Sequence, residues 1–290
     1  MIAYYNVNGT LTPAAEAALK VTDLAILRGY GVFDFFLVRS GVPMYVEDYV
    51  ARFQRSARLL YLELPMPTDQ LIGQIHSLIE ANGLPDASIR LVLTGGYAED
   101  GYTPVQPNLL ILAHPMPTYA TSVMTEGVKV LLYAFQREVP EAKTINYLTG
   151  IREAARMRAE GAVEILYHDG RYVREGVRSN FFILTQDGIL VTPQEKILHG
   201  ITRKNTIELA RQHFQVEERD VTPAELFAAQ EVFLTSTTKG AMPVVQVDGQ
   251  TIGNGQPGPI TLQLAELLRQ RDAAYVQAAH KVLPIESTAI

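Results

Sequence analysis

The chain has 290 residues, 47% of them hydrophobic, which suits a sizeable core in two domains or one large α/β unit and excludes a disordered chain. A net charge of −6 without a long charge run argues against non-specific nucleic-acid binding, and the lack of cysteine excludes disulfides and thiolate metal sites. No apolar run approaches the ~20 residues needed to span a bilayer, and the opening MIAYYNVNGTLTP has no basic-then-apolar leader, so a soluble cytoplasmic protein is expected.

The elements alternate between strand and helix signals. Met1 to Asn8 is apolar and aromatic and ends at an Asn8-Gly9 turn. Val32 to Arg39 is rich in strand formers and is closed by Ser40-Gly41, after which Met44 to Val46 reads as a returning partner strand. Val46 to Leu62 carries Val50, Phe53, Ala57 and Leu60 at helical spacing. Thr68 to Ala81 is a second predicted helix, with Thr68 as N-cap and Gly83 as stop. Ile89 to Thr94 and Asn108 to Ala113 read as strands. The stretch from His114 to Gly127, with prolines, hydroxyl residues and a glycine, marks a boundary between residues 1–117 and 118–290.

Beyond it, Val128 to Phe135 is a predicted strand, and Ile145 to Ala159 a helix opening just after Lys143. Ala162 to His168, Asn180 to Thr185 and Ile189 to Thr192 read as strands, and Thr202 to His213 as a helix. Glu231 to Thr235 and Val244 to Val247 are further strands, and Pro259 to His280 is a closing helix. There is no internal repeat or low-complexity tract.

Several segments carry chemistry when taken in order. Lys143 lies in KTINY, where a neutral amine could attack an aldehyde, although a lone lysine there is ordinarily a solvated turn residue. Tyr147, four positions on, shares its face if a helix starts promptly, and could bond a ring oxygen or simply sit in the core. Glu175, in REGVRSNFF, could keep a pyridine nitrogen protonated; the alternative is a turn glutamate. In GITRK, Gly200 precedes Ile201 and Thr202 at a helix start, where free N–H groups and the helix dipole favour phosphate; the alternative is a merely capped helix. TSTTKG, with Thr237 and Thr238, is a second hydroxyl-rich turn suited to an anion. Arg52, beside the core-facing Phe53, is a candidate phosphate partner or a surface helix arginine.

The ordered set RGYGVFD, ARFQRSA, KTINY, EGVRSNFF, ILHGITRK and VFLTSTTKGAMPV resembles the fold-type IV pyridoxal-phosphate enzymes along nearly the whole chain. That class includes branched-chain aminotransferases, D-amino-acid aminotransferases and aminodeoxychorismate lyase. The resemblance implies an α/β (α+β) protein with a small N-terminal α/β domain, residues 1–117, and a larger C-terminal cofactor-binding domain, residues 118–290, built on a barrel-like sheet with helices. It implies pyridoxal 5'-phosphate as cofactor, amino acids and 2-oxo acids as substrates, and a homodimer in which N-terminal segments close the partner's site. Lys143 then looks like the Schiff-base lysine and proton shuttle. Glu175 looks like the pyridine partner, Arg52, Ile201, Thr202, Thr237 and Thr238 like the phosphate site, Tyr147 like the tyrosine near the phenolic oxygen, and Leu198 like the leucine packed on the ring.

The subfamily signals diverge. Asn146-Tyr147 resembles the branched-chain type, whereas RGYGVFDFF, with Arg28 and Tyr30, is closer to the D-amino-acid and lyase style. The Arg-x-His carboxylate trap usual in D-amino-acid aminotransferases is missing from TGGYAEDGYTP. Arg178, Arg90 and Arg28 stand where the family's pocket should be. A buried cation needs an anionic partner, so Arg178 is expected to hold a substrate α-carboxylate with support from Arg90 or Arg28; the alternative for Arg28 and Arg90 is pairing with Asp23 or Asp34. The expected activity is transamination between a D-amino acid and a 2-oxo acid such as 2-oxoglutarate. An L-branched-chain aminotransferase, an aminodeoxychorismate lyase and a cofactor carrier without turnover are the alternatives.

Overall fold

The computed structural model describes residues 2–118 and 122–282. The chain divides into two compact units, one of Met1–Pro117, Ala142–Asn146 and the chain from Gln270 onward, the other of Thr118–Glu141 and Tyr147–Arg269. A single cut at 117/118 therefore misses two returns to the first unit. The pentapeptide around Lys143 is one, and the end of the last helix is the other.

The first unit is built on six strands: β1 (Tyr4–Val7), β2 (Thr10–Pro13), β3 (Gly31–Arg39), β4 (Val42–Pro43), β5 (Ala87–Thr94) and β6 (Leu109–Pro115), in the order β2-β1-β6-β5-β3-β4. Its helices are α1 (Leu24–Arg28), α2 (Val46–Leu59) and α3 (Thr68–Asn82). The strand pleat puts Val32, Asp34, Phe36 and Val38 on the buried side of β3, while Phe33 and Phe35 stay half-exposed. Val50, Phe53 and Ala57 of α2 are fully buried, as are Leu71, Ile75 and Leu78 of α3. Four expectations shift here. The partner of β3 is Val42–Pro43 rather than Met44 to Val46, because Tyr45 turns left-handed (φ 51°) and launches α2. The α2 helix ends at Leu59. Thr68 is the first residue of α3, and Pro67 takes the N-cap position without a side-chain capping bond. The short helix α1 lies outside the predicted elements; Asp23 caps it by accepting the Ala25 N–H, and Gly29 ends it left-handed (φ 64°).

The second unit contains α4 (Ser122–Glu126), β7 (Val128–Ala134), α5 (Leu148–Arg152), α6 (Ala154–Ala159), β8 (Glu164–His168), β9 (Val173–Gly176), β10 (Asn180–Leu184) and β11 (Leu190–Thr192). It continues with α7 (Ile201–Ala210), β12 (Val216–Glu218), α8 (Pro223–Phe227), β13 (Glu231–Ser236), β14 (Gly240–Val247), β15 (Gln250–Thr251) and α9 (Pro259–Val282), the last of which ends in the first unit. The sheet runs β12-β11-β10-β13-β14-β7-β8-β9, with β15 beside β14. A bridge between Val173 in β9 and Val221, just past β12, brings the two ends of this order together. The sheet is thus curled into the expected barrel-like form, with Phe181, Ile183, Val191, Val232 and Leu234 in its core and Phe182 stacked on Phe233 under α7 and α9. Among the described residues, no helix is long and apolar enough to cross a membrane.

Candidate active site

In the first unit, Lys143 is not at a helix start. Its carbonyl accepts the Phe33 N–H (2.9 Å), Thr144 bridges Val32, and Ile145 donates to Gly31 (3.1 Å), so residues 143–145 run as an extra extended segment along β3. The Lys143 N–H is held by Ser56 Oγ at 3.0 Å. The predicted helix from Ile145 to Ala159 is instead two short helices, α5 and α6, and Tyr147 is the N-cap residue of α5, in the second unit. The shared helical face of Lys143 and Tyr147 is therefore overturned: backbone pairing with β3 takes the amides a helix would need.

The Lys143 Nζ stands over the Phe33 ring, 4.8 Å from its centroid. Arg90 faces Phe35 directly across the β3–β5 ladder, and its guanidinium is 5.6 Å from the Phe33 centroid and 5.9 Å from that of Phe35. On the other side of β3, Arg52 is clamped by Asp34, with Nε–Oδ2 2.9 Å and Nη2–Oδ1 2.6 Å, and both side chains are buried. Arg52 is thus a buried, oriented cation rather than a surface helix arginine. Sequence reasoning missed Asp34 as its holder and Ser56 as the anchor of Lys143.

Arg28 and Arg90 pair with neither Asp23 nor Asp34. Asp34 is taken by Arg52, while Asp23 accepts Thr94 Oγ1 (2.8 Å) and Asn108 Nδ2 (2.7 Å) as well as the Ala25 N–H. Arg28 is exposed and donates to the Leu27 carbonyl (2.9 Å) at the end of α1. The Tyr30 hydroxyl donates to the Leu60 carbonyl, and burial raises its pKa, with Tyr61 adding to the effect. The premise of buried cations fails for all three substrate arginines: Arg28 and Arg90 are exposed, and Arg178, in the second unit, is 59% exposed.

In the second unit, Glu175 lies buried on β9. Its Oε1 accepts from Arg137 Nε (2.9 Å) and Nη2 (2.6 Å), and its Oε2 accepts the Leu198 N–H (2.9 Å). Arg137 also donates to the Pro140 carbonyl. Nothing in FQREVPEAKT singles out this arginine, because its partner lies 38 positions away in sequence. Asn180 ties the neighbouring loops together: its Nδ2 donates to the Leu198 carbonyl (2.8 Å), its Oδ1 accepts the Gly200 N–H (3.2 Å), and it pairs with Thr235 in the sheet. A Cβ at Gly200 would lie 2.3 Å from that Oδ1, so only glycine fits there. Glu175, Leu198, Gly200 to Thr202 and the turn after Thr235 are therefore one connected constellation.

Pyridoxal phosphate asks for an anion at its pyridine nitrogen and for donors around a phosphate dianion. The residues present fit. Glu175 is a buried carboxyl group fixed by the Arg137 guanidinium and the Leu198 N–H. Gly200 offers α7 no capping side chain, so the first-turn amides of Ile201 and Thr202 are presented to an outside acceptor. Thr235 Oγ1 and Ser236 Oγ are buried without a hydrogen-bond partner among the described residues, next to Thr237 and Thr238. Buried hydroxyls left unsatisfied in a folded protein are the mark of an absent ligand or water.

Comparison with known proteins agrees with this chemistry. Residues 31–247 match the family model for amino-transferase class IV. A putative branched-chain-amino-acid aminotransferase from Methanocaldococcus jannaschii is 32% identical over 89% of this chain and 93% of its own length. A D-alanine aminotransferase from Bacillus licheniformis is 31% identical over 90% of this chain and 94% of its own. Among solved structures, the branched-chain amino acid aminotransferase from Escherichia coli superposes with a TM-score of 0.85 at 26% identity, covering 94% of this chain and 95% of its own. A T.th. branched-chain amino acid aminotransferase solved with pyridoxamine 5'-phosphate superposes with a TM-score of 0.87, also at 26% identity, covering 95% of both chains. The chain belongs to the class IV aminotransferases, the fold-type IV enzymes that work with pyridoxal phosphate.

Proposed function

We propose that this aminotransferase moves an amino group between a D-amino acid and a 2-oxo acid such as 2-oxoglutarate. The observation that carries the reading is an arginine that shares an aromatic ring with the reactive amine: the Arg90 guanidinium is 5.6 Å and the Lys143 Nζ 4.8 Å from the Phe33 centroid. An exposed arginine in mid-strand that shares Phe33 with the proton-transferring group suits a substrate carboxylate better than it suits an apolar side chain. Arg90 rather than Arg178 therefore takes the α-carboxylate in this reading, with Arg28 and Tyr30 assisting. Similarity to D-alanine aminotransferases supports it.

Arg52, Ile201, Thr202, Thr237 and Thr238 would hold the cofactor phosphate, Glu175 the pyridine nitrogen, Leu198 the ring face and Tyr147 the phenolic oxygen. Pyridoxal phosphate supplies an electron sink for the pair left when the substrate Cα loses its proton. Lys143 Nζ takes that proton as base and returns it as acid, and its fixed backbone, pinned by Phe33 and Ser56, sets the side from which it acts. Arg90 orients the carboxylate relative to that amine, which sets the handedness accepted. Arg137 pairs with Glu175 and holds its carboxyl group in place. The homodimer of the family belongs to the same reading, with light scattering as its check.

A second reading, an L-branched-chain aminotransferase, is favoured by Tyr147 and by the similarity to the Methanocaldococcus jannaschii and Escherichia coli proteins. Single-turnover mixing of the holoenzyme with D-glutamate, D-alanine, L-leucine and aminodeoxychorismate separates the readings. Loss of the cofactor's visible absorbance with the D-amino acids supports the proposal; loss with L-leucine alone sinks it.

A further inference from the structure

Asp23 is fully buried at the start of α1, and its carboxyl group gathers donors from three places in the chain. Oδ1 accepts the Ala25 N–H (2.8 Å), while Oδ2 accepts the Thr94 hydroxyl (2.8 Å) at the end of β5 and Asn108 Nδ2 (2.7 Å) just before β6. All three donors are neutral. A buried carboxyl is tolerated where hydrogen bonds satisfy it, and losing the acceptor leaves buried donors unmatched. Asp23 therefore ties both ends of the loop 95–107 to the head of residues 24–30.

The backbone extends this contact along both segments. Leu24 donates to the Gly96 carbonyl (3.0 Å), Gly95 donates to the Tyr30 carbonyl (3.3 Å), and Asp23 bridges Tyr97. The Lys20 Nζ lies 5.2 Å from the Tyr97 ring centroid. A Cβ at Gly95 would lie 2.7 Å from Tyr30 Cδ1 and 2.8 Å from Leu24 Cδ1, so the two segments meet with no room for a side chain between them. Just past Tyr30, the Gly31 carbonyl accepts the Ile145 N–H (3.1 Å), two residues after Lys143. Residues 24–30, which carry Arg28 and Tyr30, are thus pinned to the loop 95–107 at both ends and followed at once by the pairing with the lysine segment, all inside the first unit.

We propose that Asp23 is a positioning residue for substrate binding: it locks residues 24–30 and the loop 95–107 into one preformed rim, which presents Arg28 and Tyr30 to the substrate in a fixed place. An asparagine there has one acceptor oxygen and an amide that donates, so it cannot satisfy Ala25, Thr94 and Asn108 together. The inference rests on the substrate roles read for Arg28 and Tyr30, and not on the handedness of the amino acid.

The test is Asp23→Asn, studied as holoenzyme with an amino donor and a 2-oxo acceptor that the parent turns over. KM for both should rise about tenfold, with kcat within about threefold and cofactor affinity, by equilibrium dialysis, within about twofold of the parent. Amide hydrogen exchange should quicken in 24–30 and 95–107 together and stay unchanged in β3. If Asp23→Asn does not fold, Thr94→Val, which removes one of the three donors, should give the same pattern with KM raised about threefold. An unchanged KM, a matching loss of cofactor affinity, or exchange that quickens in one loop alone overturns the proposal. Arg28→Met and Tyr30→Phe test the reading beneath it. Raised KM in these two with unchanged KM in Asp23→Asn overturns the Asp23 assignment alone, whereas unchanged KM in both overturns the reading and the proposal with it.

Discussion

Lys143 and Arg90 reach the same aromatic ring from different elements, the Nζ at 4.8 Å and the guanidinium at 5.6 Å from the Phe33 centroid. The amine arrives on the extended segment beside β3, and the arginine arrives from β5 across the ladder from Phe35. If Arg90 receives the substrate carboxylate, Arg90→Met removes a charge-assisted contact made before and during proton transfer. KM for both amino donor and 2-oxo acceptor should rise about tenfold or more, with a smaller fall in kcat. Steady-state kinetics on both substrates checks this.

Glu175 and Arg137 form a pair whose members are 6% and 16% exposed. Arg137→Met strands a buried carboxylate, so folding stability should drop by about 3 kcal/mol in urea unfolding of the cofactor-free protein. Glu175→Gln keeps the shape but removes the charge opposite the pyridine nitrogen. Turnover should fall on the order of a hundredfold while the cofactor stays bound.

Asp34 fixes Arg52 through two short bonds inside the first unit. Asp34→Asn leaves a buried guanidinium without its counter-charge, at a cost of about 3 kcal/mol. The loss should appear in urea unfolding of the cofactor-free protein. If Arg52 serves the phosphate, cofactor affinity should fall in the same variant, read by equilibrium dialysis of pyridoxal phosphate.

The exposed turn after β5 holds a pH-dependent contact. Asp100 accepts from the Thr103 hydroxyl (2.5 Å), the Thr103 N–H (2.8 Å) and the Tyr102 N–H (2.9 Å), and these bonds, the hydroxyl first, lower its pKa to about 2. A depressed carboxyl stabilises the folded loop above its unfolded pKa of about 3.9, and that contribution disappears as pH falls through about 2. Thr103→Val should bring the Asp100 titration back toward the ordinary value, as read by carboxyl NMR. The loop borders Arg28, since a Cβ at Gly101 would lie 3.7 Å from its Nη2.

The sheet-forming runs are legible because burial follows period: Val32 to Arg39, Ile89 to Thr94 and Asn180 to Thr185 all lie in strands within a residue or two. GITRK is legible because Gly200 before a helical pattern leaves amides exposed by rule. The segment after Lys143 misleads because local propensity favours helix there, while long-range pairing with Phe33 and Gly31 draws 143–145 into an extended strand. The charge partners are illegible for a related reason. Arg52 is 18 positions from Asp34, and Arg137 is 38 from Glu175. The small helix α8 could have been found, because Thr222-Pro223-Ala224-Glu225 is a capping box with proline at the helix start.

The reactive amine itself can be identified directly. Holoenzyme reduced with borohydride, digested and examined by mass spectrometry should carry the pyridoxyl phosphate group on the peptide containing Lys143, and Lys143→Ala should carry none. The group found on another lysine, or retained in Lys143→Ala, would contradict the account.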